Sequence, residues 1–453
     1  MAGQTKEREI ILDILLDIDR EGTYSHIAIS ETLRNYQFLD KKIRSFITRV
    51  VEGTVEYQLR LDYMLNQFSK TKVKKCKPVI RSILRMAAYQ ICFMDYVPDS
   101  AACNEAVKLA KKRGFASLSG FVNGVLRNLA RKKEEIRYPE EEKEPVAYLS
   151  IFYSMPEWII EQWLEVYDYN TVKKMLEAFL KENLTTIRCH TSKISPENLQ
   201  EHLQEEGIEV NRCAYVKEAF FIRGYNYIQK ISAFKEGLFQ VQDQSSMLVV
   251  KAADPKEGDI VIDVCAAPGG KSLHCAEVLN ETGLVIARDL TDYKVDLMKE
   301  NLERIGYSNM KIERQDALSF VEADKNRADL VIADLPCSGL GILGKKNDIK
   351  YKMSREQQDQ LVTLQREILS TIWQYVKPGG TLLYSTCTIH QEENEGNRKW
   401  ILENLPFEPV SIEDTLPKEL WSDTTKEGYL QLLPGIHQCD GFFLAKLKRK
   451  EEQ

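Results

Sequence analysis

From about residue 245 onward, short apolar runs alternate with helical stretches, and this alternation restricts the fold more than any other feature of the chain. The runs occupy 260–264, 284–287, 310–313, 330–333 and 381–384, and helical periodicity fills 271–279, 292–305, 354–376 and 391–403. Such a pattern predicts an α/β domain, a parallel sheet buried by helices on both faces. Ligands of such sheets bind beyond the carboxyl ends of the strands, where the strand order reverses.

The 453 residues are too many for one ordinary core, so two or three domains are expected. Residues 1–133 read as all helix. From Asp40, the residues Ile43, Phe46, Ile47, Val50 and Val51 follow the spacing of a buried helical stripe, and Asp40 is placed to cap it. Further helical patterns cover 6–19, 77–94, 100–112 and 117–133. Residues 134–145, rich in glutamate and punctuated by Pro139 and Pro145, read as a linker. Residues 146–240 mix two amphipathic helices with strand-like runs at 184–189, 209–215 and 220–223, a small α+β module. The α/β domain then spans 241–453.

Apolar residues at 43% and charged residues at 29% describe a globular chain. No stretch approaches the length of a membrane span, and the ten cysteines form no C-x-x-C pair. A cytoplasmic protein without disulfides or a metal knuckle is the expectation. The net charge of −6 is unevenly spread: residues 1–133 hold 24 basic against 14 acidic side chains. Basic clusters at 70–77, 108–113 and 127–133 suit an anionic partner, although a solvated helix face explains them equally well.

Two sets of motifs follow the strands. After the first comes Asp263-Val-Cys-Ala-Ala-Pro-Gly-Gly-Lys271. Its glycines and small residues let backbone approach a ligand at a helix N-terminus, but the glycine spacing of phosphate and dinucleotide loops is missing. An adenosyl ligand without phosphates is favoured. Asp289 closes the second strand, where an acidic residue accepts from ribose hydroxyls, and Asp316 follows the third, within reach of an adenine amino group. Taken singly, either aspartate reads as well as a helix cap.

The second set is Asp334-Leu-Pro-Cys337-Ser-Gly339 and Ser385-Thr-Cys387-Thr388, after the fourth and fifth strands. Those strands are neighbours in this topology, so both thiols can converge on one substrate. Cytosine carbon 5 is a reaction centre that needs such help: a thiolate adding to carbon 6 makes carbon 5 enamine-like, able to attack a methyl sulfonium. Asp334 suits the N3 or amino edge of the base.

Together the three motifs resemble the RNA cytosine-5 methyltransferases of the NOL/NOP/Sun group. Gln240-Val-Gln-Asp-Gln-Ser-Ser246 resembles that family's lead-in to its catalytic domain, and Asn104–Lys111 and Phe121–Asn128 resemble a NusB-like domain, the mark of its 16S rRNA branch. The resemblance implies S-adenosylmethionine as methyl donor, bound by Cys265, Ala266, Ala267, Pro268, Gly269, Gly270, Lys271, Asp289, Asp316 and Asp334. It implies Cys387 as nucleophile and Cys337 as the thiol that assists product release. DNA cytosine methyltransferases use the Pro-Cys thiol as nucleophile, so spacing alone does not divide these roles. The implied partner is 16S rRNA, free or in an assembling small subunit, gripped by the helical domain and the 146–240 module, with no membrane and no obligate protein partner. Two departures stand out: Lys345-Lys-Asn-Asp348 replaces an arginine-rich run, and Lys294 replaces an arginine. A rival reading is an RNA-binding factor of the antitermination type, which would have no use for the glycine loop or the thiol pair. A second rival is an enzyme acting on tRNA or another rRNA cytosine.

Overall fold

The computed structural model describes residues 3–182 and 184–451. The chain forms two compact units, residues 1–180 with 343–352, and residues 181–342 with 353–453.

The first unit is helical: α1 (Gly3–Glu21), α2 (Ser25–Arg34), α3 (Lys41–Glu56), α4 (Gln58–Phe68), α5 (Pro78–Phe93), α6 (Asp99–Lys112), α7 (Ser119–Lys132), α8 (Pro145–Tyr153), α9 (Glu157–Leu164) and α10 (Tyr169–Phe179). The stripe on α3 packs inward, with Ile47, Val50 and Val51 fully buried. Helices α3 and α5 meet at Gly53, where a Cβ would stand 2.0 Å from the Tyr89 ring. Asp40 occupies the N-cap of α3, but its side chain makes no capping hydrogen bond. Its backbone carbonyl instead accepts from Ile43 and Arg44. Compactness also groups α8–α10 with this unit rather than with the sheet that follows.

Residues 343–352, though far along the chain, belong to the same unit. Asp348 is buried and accepts from the Ser25 backbone N–H at 2.8 Å and from Lys352 Nζ at 2.8 Å. Lys350 donates to the Glu56 carbonyl at 3.0 Å, and Tyr351 to the same oxygen at 2.9 Å. The run that departs from the family's arginine pattern thus serves as an internal staple of the helical unit.

The second unit holds two sheets. Strands β1 (Thr185–Cys189), β2 (Glu209–Arg212), β3 (Ala219–Arg223) and β4 (Phe239–Val241) form an antiparallel sheet in the order β2-β3-β1-β4, with α11 (Pro196–Glu205) packed on it. The larger sheet contains β5 (Ile260–Asp263), β6 (Leu284–Asp289), β7 (Met310–Arg314), β8 (Ala328–Asp334), β9 (Val376–Thr386), β10 (Phe407–Pro409), β11 (Tyr429–Leu432) and β12 (Phe442–Arg449). Its order is β10-β12-β9-β8-β5-β6-β7, and β11 also pairs with β12. Strands β5 to β9 are parallel, whereas β12 runs antiparallel to β9.

Alternate residues of the strands feed two cores. Val261, Val285, Leu330, Ile332 and Leu383 face α12 (Gln244–Ala253), α13 (Gly270–Val278) and α14 (Asp292–Ile305). Ile262, Ile286, Val331, Leu382 and Tyr384 face α15 (Arg355–Ile372) and α16 (Asn397–Asn404). Burial on both faces explains why these strands read as continuous apolar runs. The two sheets are tied by Arg188 on β1, a buried side chain that donates to Glu277 on α13 and, at 3.0 Å, to Gln242 Oε1.

Candidate active site

The carboxyl ends of β5, β6, β8 and β9 gather the residues singled out from the motifs. Gly269, between β5 and α13, has φ of 99°, a left-handed conformation that glycine adopts without a Cβ penalty. The turn is closed by Gly269 N–H donating to the Ala266 carbonyl at 2.7 Å. Asp289 fastens the loop from the side: its Oδ2 accepts from the Ala267 N–H at 3.0 Å and its Oδ1 from the Leu290 N–H at 2.8 Å. Lys294, the second departure, pairs with the same carboxylate at 2.9 Å. A carboxylate offers about four lone-pair directions, so Asp289 keeps capacity for a ribose hydroxyl.

At the end of β5, Asp263 is almost wholly buried. Its Oδ2 accepts from Ser272 Oγ at 2.6 Å, while Oδ1 is buried with no partner among the described residues. Burial pushes this carboxyl up to about 7, against hydrogen bonding from Ser272 and the nearby Lys271 charge. Cys265 is also pushed far up, by burial and then by Asp289, Asp263 and Asp334, so its thiol stays protonated and is no nucleophile.

Lys271, in the first turn of α13, reaches across to β8, where Nζ meets Asp334 Oδ2 at 2.6 Å. Burial opposes the charge of this ammonium, but Asp334, through its charge and its hydrogen bond, and then Asp263 hold its pKa above the usual lysine value. The other Asp334 oxygen accepts from Ser385 Oγ at 2.8 Å, so one carboxylate joins the glycine loop, β8 and β9. Beyond it lie the two thiols. Cys337 Sγ and Cys387 Sγ are 3.4 Å apart and half-buried. The hydrogen bond to Cys387 raises Cys337 well above its ordinary pKa, with burial adding to the effect. Pairing of β8 with β9 in parallel register, Asp334 opposite Ser385, brings the two loops together.

Asp316 stands at the neighbouring strand end, where Gln315 N–H donates to the Asp289 carbonyl at 3.1 Å. Its Oδ1 accepts from the Leu318 N–H at 2.9 Å, leaving Oδ2 for a ligand. Ser385, quoted only as part of a motif, emerges as the link between Asp334 and β9; a hydroxyl two residues before Cys387 was its sole sequence signal. No group of three metal-binding side chains occurs among the described residues, and no helix of the described residues is long and apolar enough to cross a membrane.

Comparison with known proteins matches the chain in three segments. Residues 5–131 match the NusB family, residues 155–229 the ferredoxin-like domain of RsmF/B-like methyltransferases, and residues 250–448 the 16S rRNA methyltransferase RsmB/F model. A probable ribosomal RNA small subunit methyltransferase B of Bacillus subtilis is 36% identical, covering 99% of this chain and 99% of its own. The crystal structure of PH0851 superposes with a TM-score of 0.81 at 27% identity, covering 98% of each chain. NSun6 from Pyrococcus horikoshii, solved with SFG, shares the fold at TM-score 0.58 and 22% identity, covering 66% of this chain and 99% of that one.

Proposed function

From the premise that this chain belongs to the RsmB/F family of S-adenosylmethionine-dependent rRNA methyltransferases, we propose that it methylates carbon 5 of a cytosine in 16S rRNA, at the cytosine-967 type site, through a covalent Cys387 adduct. The observation that carries this reading is the contact of Cys337 and Cys387 at 3.4 Å beside the Lys271–Asp334 pair.

The donor set suits the methyl donor. The glycine loop gives close backbone approach, Asp289 suits the ribose, Asp316 the adenine amino group, and the unpartnered Asp263 Oδ1 lies at the strand end that leads into the loop. Cys265, Ala266, Ala267, Pro268, Gly270, Lys271 and Asp334 complete the proposed binding set. S-adenosylmethionine supplies an electrophilic methyl group on a sulfonium. Cys387 adds its sulfur to carbon 6 of the cytosine, and the electron pair of the broken double bond makes carbon 5 nucleophilic. Asp334, already held by Lys271 and Ser385, contacts the base at N3 or its amino group. After methyl transfer a base takes the carbon-5 proton, the C–H electron pair re-forms the C5–C6 double bond, and the C6–S bond breaks to release Cys387 as a thiolate, with Cys337 assisting. The base must be splayed out of its stack to reach the thiols.

The two cysteines have opposite expected phenotypes. Cys337→Ala accumulates a covalent protein–RNA complex, visible as a retarded band on a denaturing gel. Cys387→Ala gives neither complex nor methylated RNA. Reversed phenotypes would exchange the two roles, and the absence of any adduct in either variant would remove the covalent mechanism.

A further inference from the structure

The thiol pair stands on a buried polar cluster. Between β9 and α16 the backbone widens into a π-turn, Glu392–Gly396, which directs Glu393 back beneath the loops. Glu393 is fully buried. Its Oε2 accepts from the Ser338 N–H at 2.9 Å and from Gln365 Nε2 at 2.9 Å. Its Oε1 accepts from Ser338 Oγ and faces His390 Nδ1 at 3.2 Å. Ser338 follows Cys337 directly, and its hydroxyl also meets Thr388 Oγ1 at 2.7 Å, the residue after Cys387. One carboxyl group therefore touches, directly or through a single hydroxyl, the residue next to each thiol.

Burying a carboxyl group among so many fixed donors gains little stability over a well-packed apolar side chain of the same size. What the arrangement does gain is geometry. The loops after β8 and β9 share only a few main-chain bonds, such as Gly341 N–H to the Cys387 carbonyl at 3.0 Å. Without the carboxyl group, the Ser338 N–H and hydroxyl would lose their buried acceptor and the Pro-Cys loop would have no fixed height relative to Cys387.

We propose that Glu393 is the positioning residue of the thiol pair, locking the Cys337 and Cys387 loops together through Ser338 and Thr388 and so setting the sulfur–sulfur contact. This deepens the proposed function, because product release in that scheme needs both sulfurs on one base. Glu393 touches neither substrate nor donor.

The test reads the sulfur contact without reading activity. Diamide takes two electrons and two protons from the thiols and leaves a disulfide, and the Cys337–Cys387 cross-linked peptide is followed by mass spectrometry in the full-length protein. Glu393→Ala is expected to slow this cross-link at least about tenfold. Glu393→Gln keeps an acceptor for Ser338 N–H and a donor for its hydroxyl, and is expected to restore it to within about threefold. Methylation follows the same order, kcat falling roughly 100-fold in Glu393→Ala with KM for S-adenosylmethionine within about twofold. Should Glu393→Ala fail to fold, Ser338→Ala removes the bridging hydroxyl and is read in the same way. A cross-link forming at the wild-type rate in Glu393→Ala, or in Ser338→Ala where that variant stands in, overturns the proposal. A slowed cross-link with undiminished methylation would instead overturn the thiol roles of the proposed function and leave the hold on the loops standing.

Discussion

Burial raises the thiol pKa of Cys189 to about 12 and lifts Cys265 and Cys275 further, so a large part of the cysteine content is chemically silent at neutral pH. Cys387 differs in its neighbours: the Cys337 thiol at 3.4 Å and the Lys271 ammonium nearby. Lys271 is therefore the residue whose loss is most informative. Its side chain is 11% exposed and that of Asp334 27%, so this ion pair is largely withdrawn from water. Lys271→Met is expected to destabilise the protein by roughly 1–3 kcal/mol, because Asp334 loses its ionic partner and keeps only the Ser385 hydroxyl. Adding Asp334→Leu should recover part of that loss, while methylation stays absent in both variants. Urea titrations give the stabilities, and costs that simply add would show that the pair does not interact. Asp334, Cys337 and Cys387 were legible in the sequence because each lies at or just past a strand end, and Lys271 because it closes the glycine loop that follows β5. Glu393 was not: its only signal was an acidic run, Glu392 to Glu395, of the kind that usually marks a solvated helix start.

At the scale of elements, the connection from β5 to α13 combines a left-handed glycine turn with a buried acid at the strand end. A carboxyl raised from 3.8 to about 7 in the folded state binds its proton more tightly folded than unfolded. Its contribution to stability is complete below pH 4 and is lost as pH rises toward 7. Asp263→Asn, which mimics the protonated acid, should therefore gain on the wild type with rising pH, by on the order of 2–4 kcal/mol between pH 4 and pH 8 in the absence of ligand. Urea midpoints across that range check it, and parallel curves for the two proteins would sink it. The five parallel strands were readable from their apolar runs, since burial on both faces leaves no polar alternation. β10 and β11 escaped because they are three and four residues long, too short for a period to register. β12 escaped for another reason: it returns to pair with β9 from far along the chain, with no tight hairpin to announce it.

For the whole chain, the division of labour rests on where unpaired positive charge lies. The helical character of residues 1–133 was plain from periodicity, but the grouping of 343–352 with the helical unit had no local signature, since side chains such as Asp348 and Lys350 meet partners some 300 positions away. Charge clusters were visible in the sequence, yet only the fold separates those already engaged from those available. Lys108, Lys112 and Arg113 pair with Glu105, Glu9 and Asp13. Lys70, Lys72, Lys74, Lys75 and Lys77 are all exposed, and no ion pair among the described residues engages them. If the helical unit grips RNA, the second cluster neutralises phosphates and the first largely does not. Each neutralised phosphate contributes about 0.7–0.9 to the slope of log K against log salt. Replacing the five lysines by glutamine should flatten that slope by up to about 3.5–4.5, whereas replacing Lys108, Lys112 and Arg113 should change it by less than about 1. Fluorescence titrations of labelled rRNA fragments at several salt concentrations separate the cases, with S-adenosylmethionine affinity unchanged in both variants. Equal slopes for the five-lysine variant and the wild type would move the RNA contact away from this face.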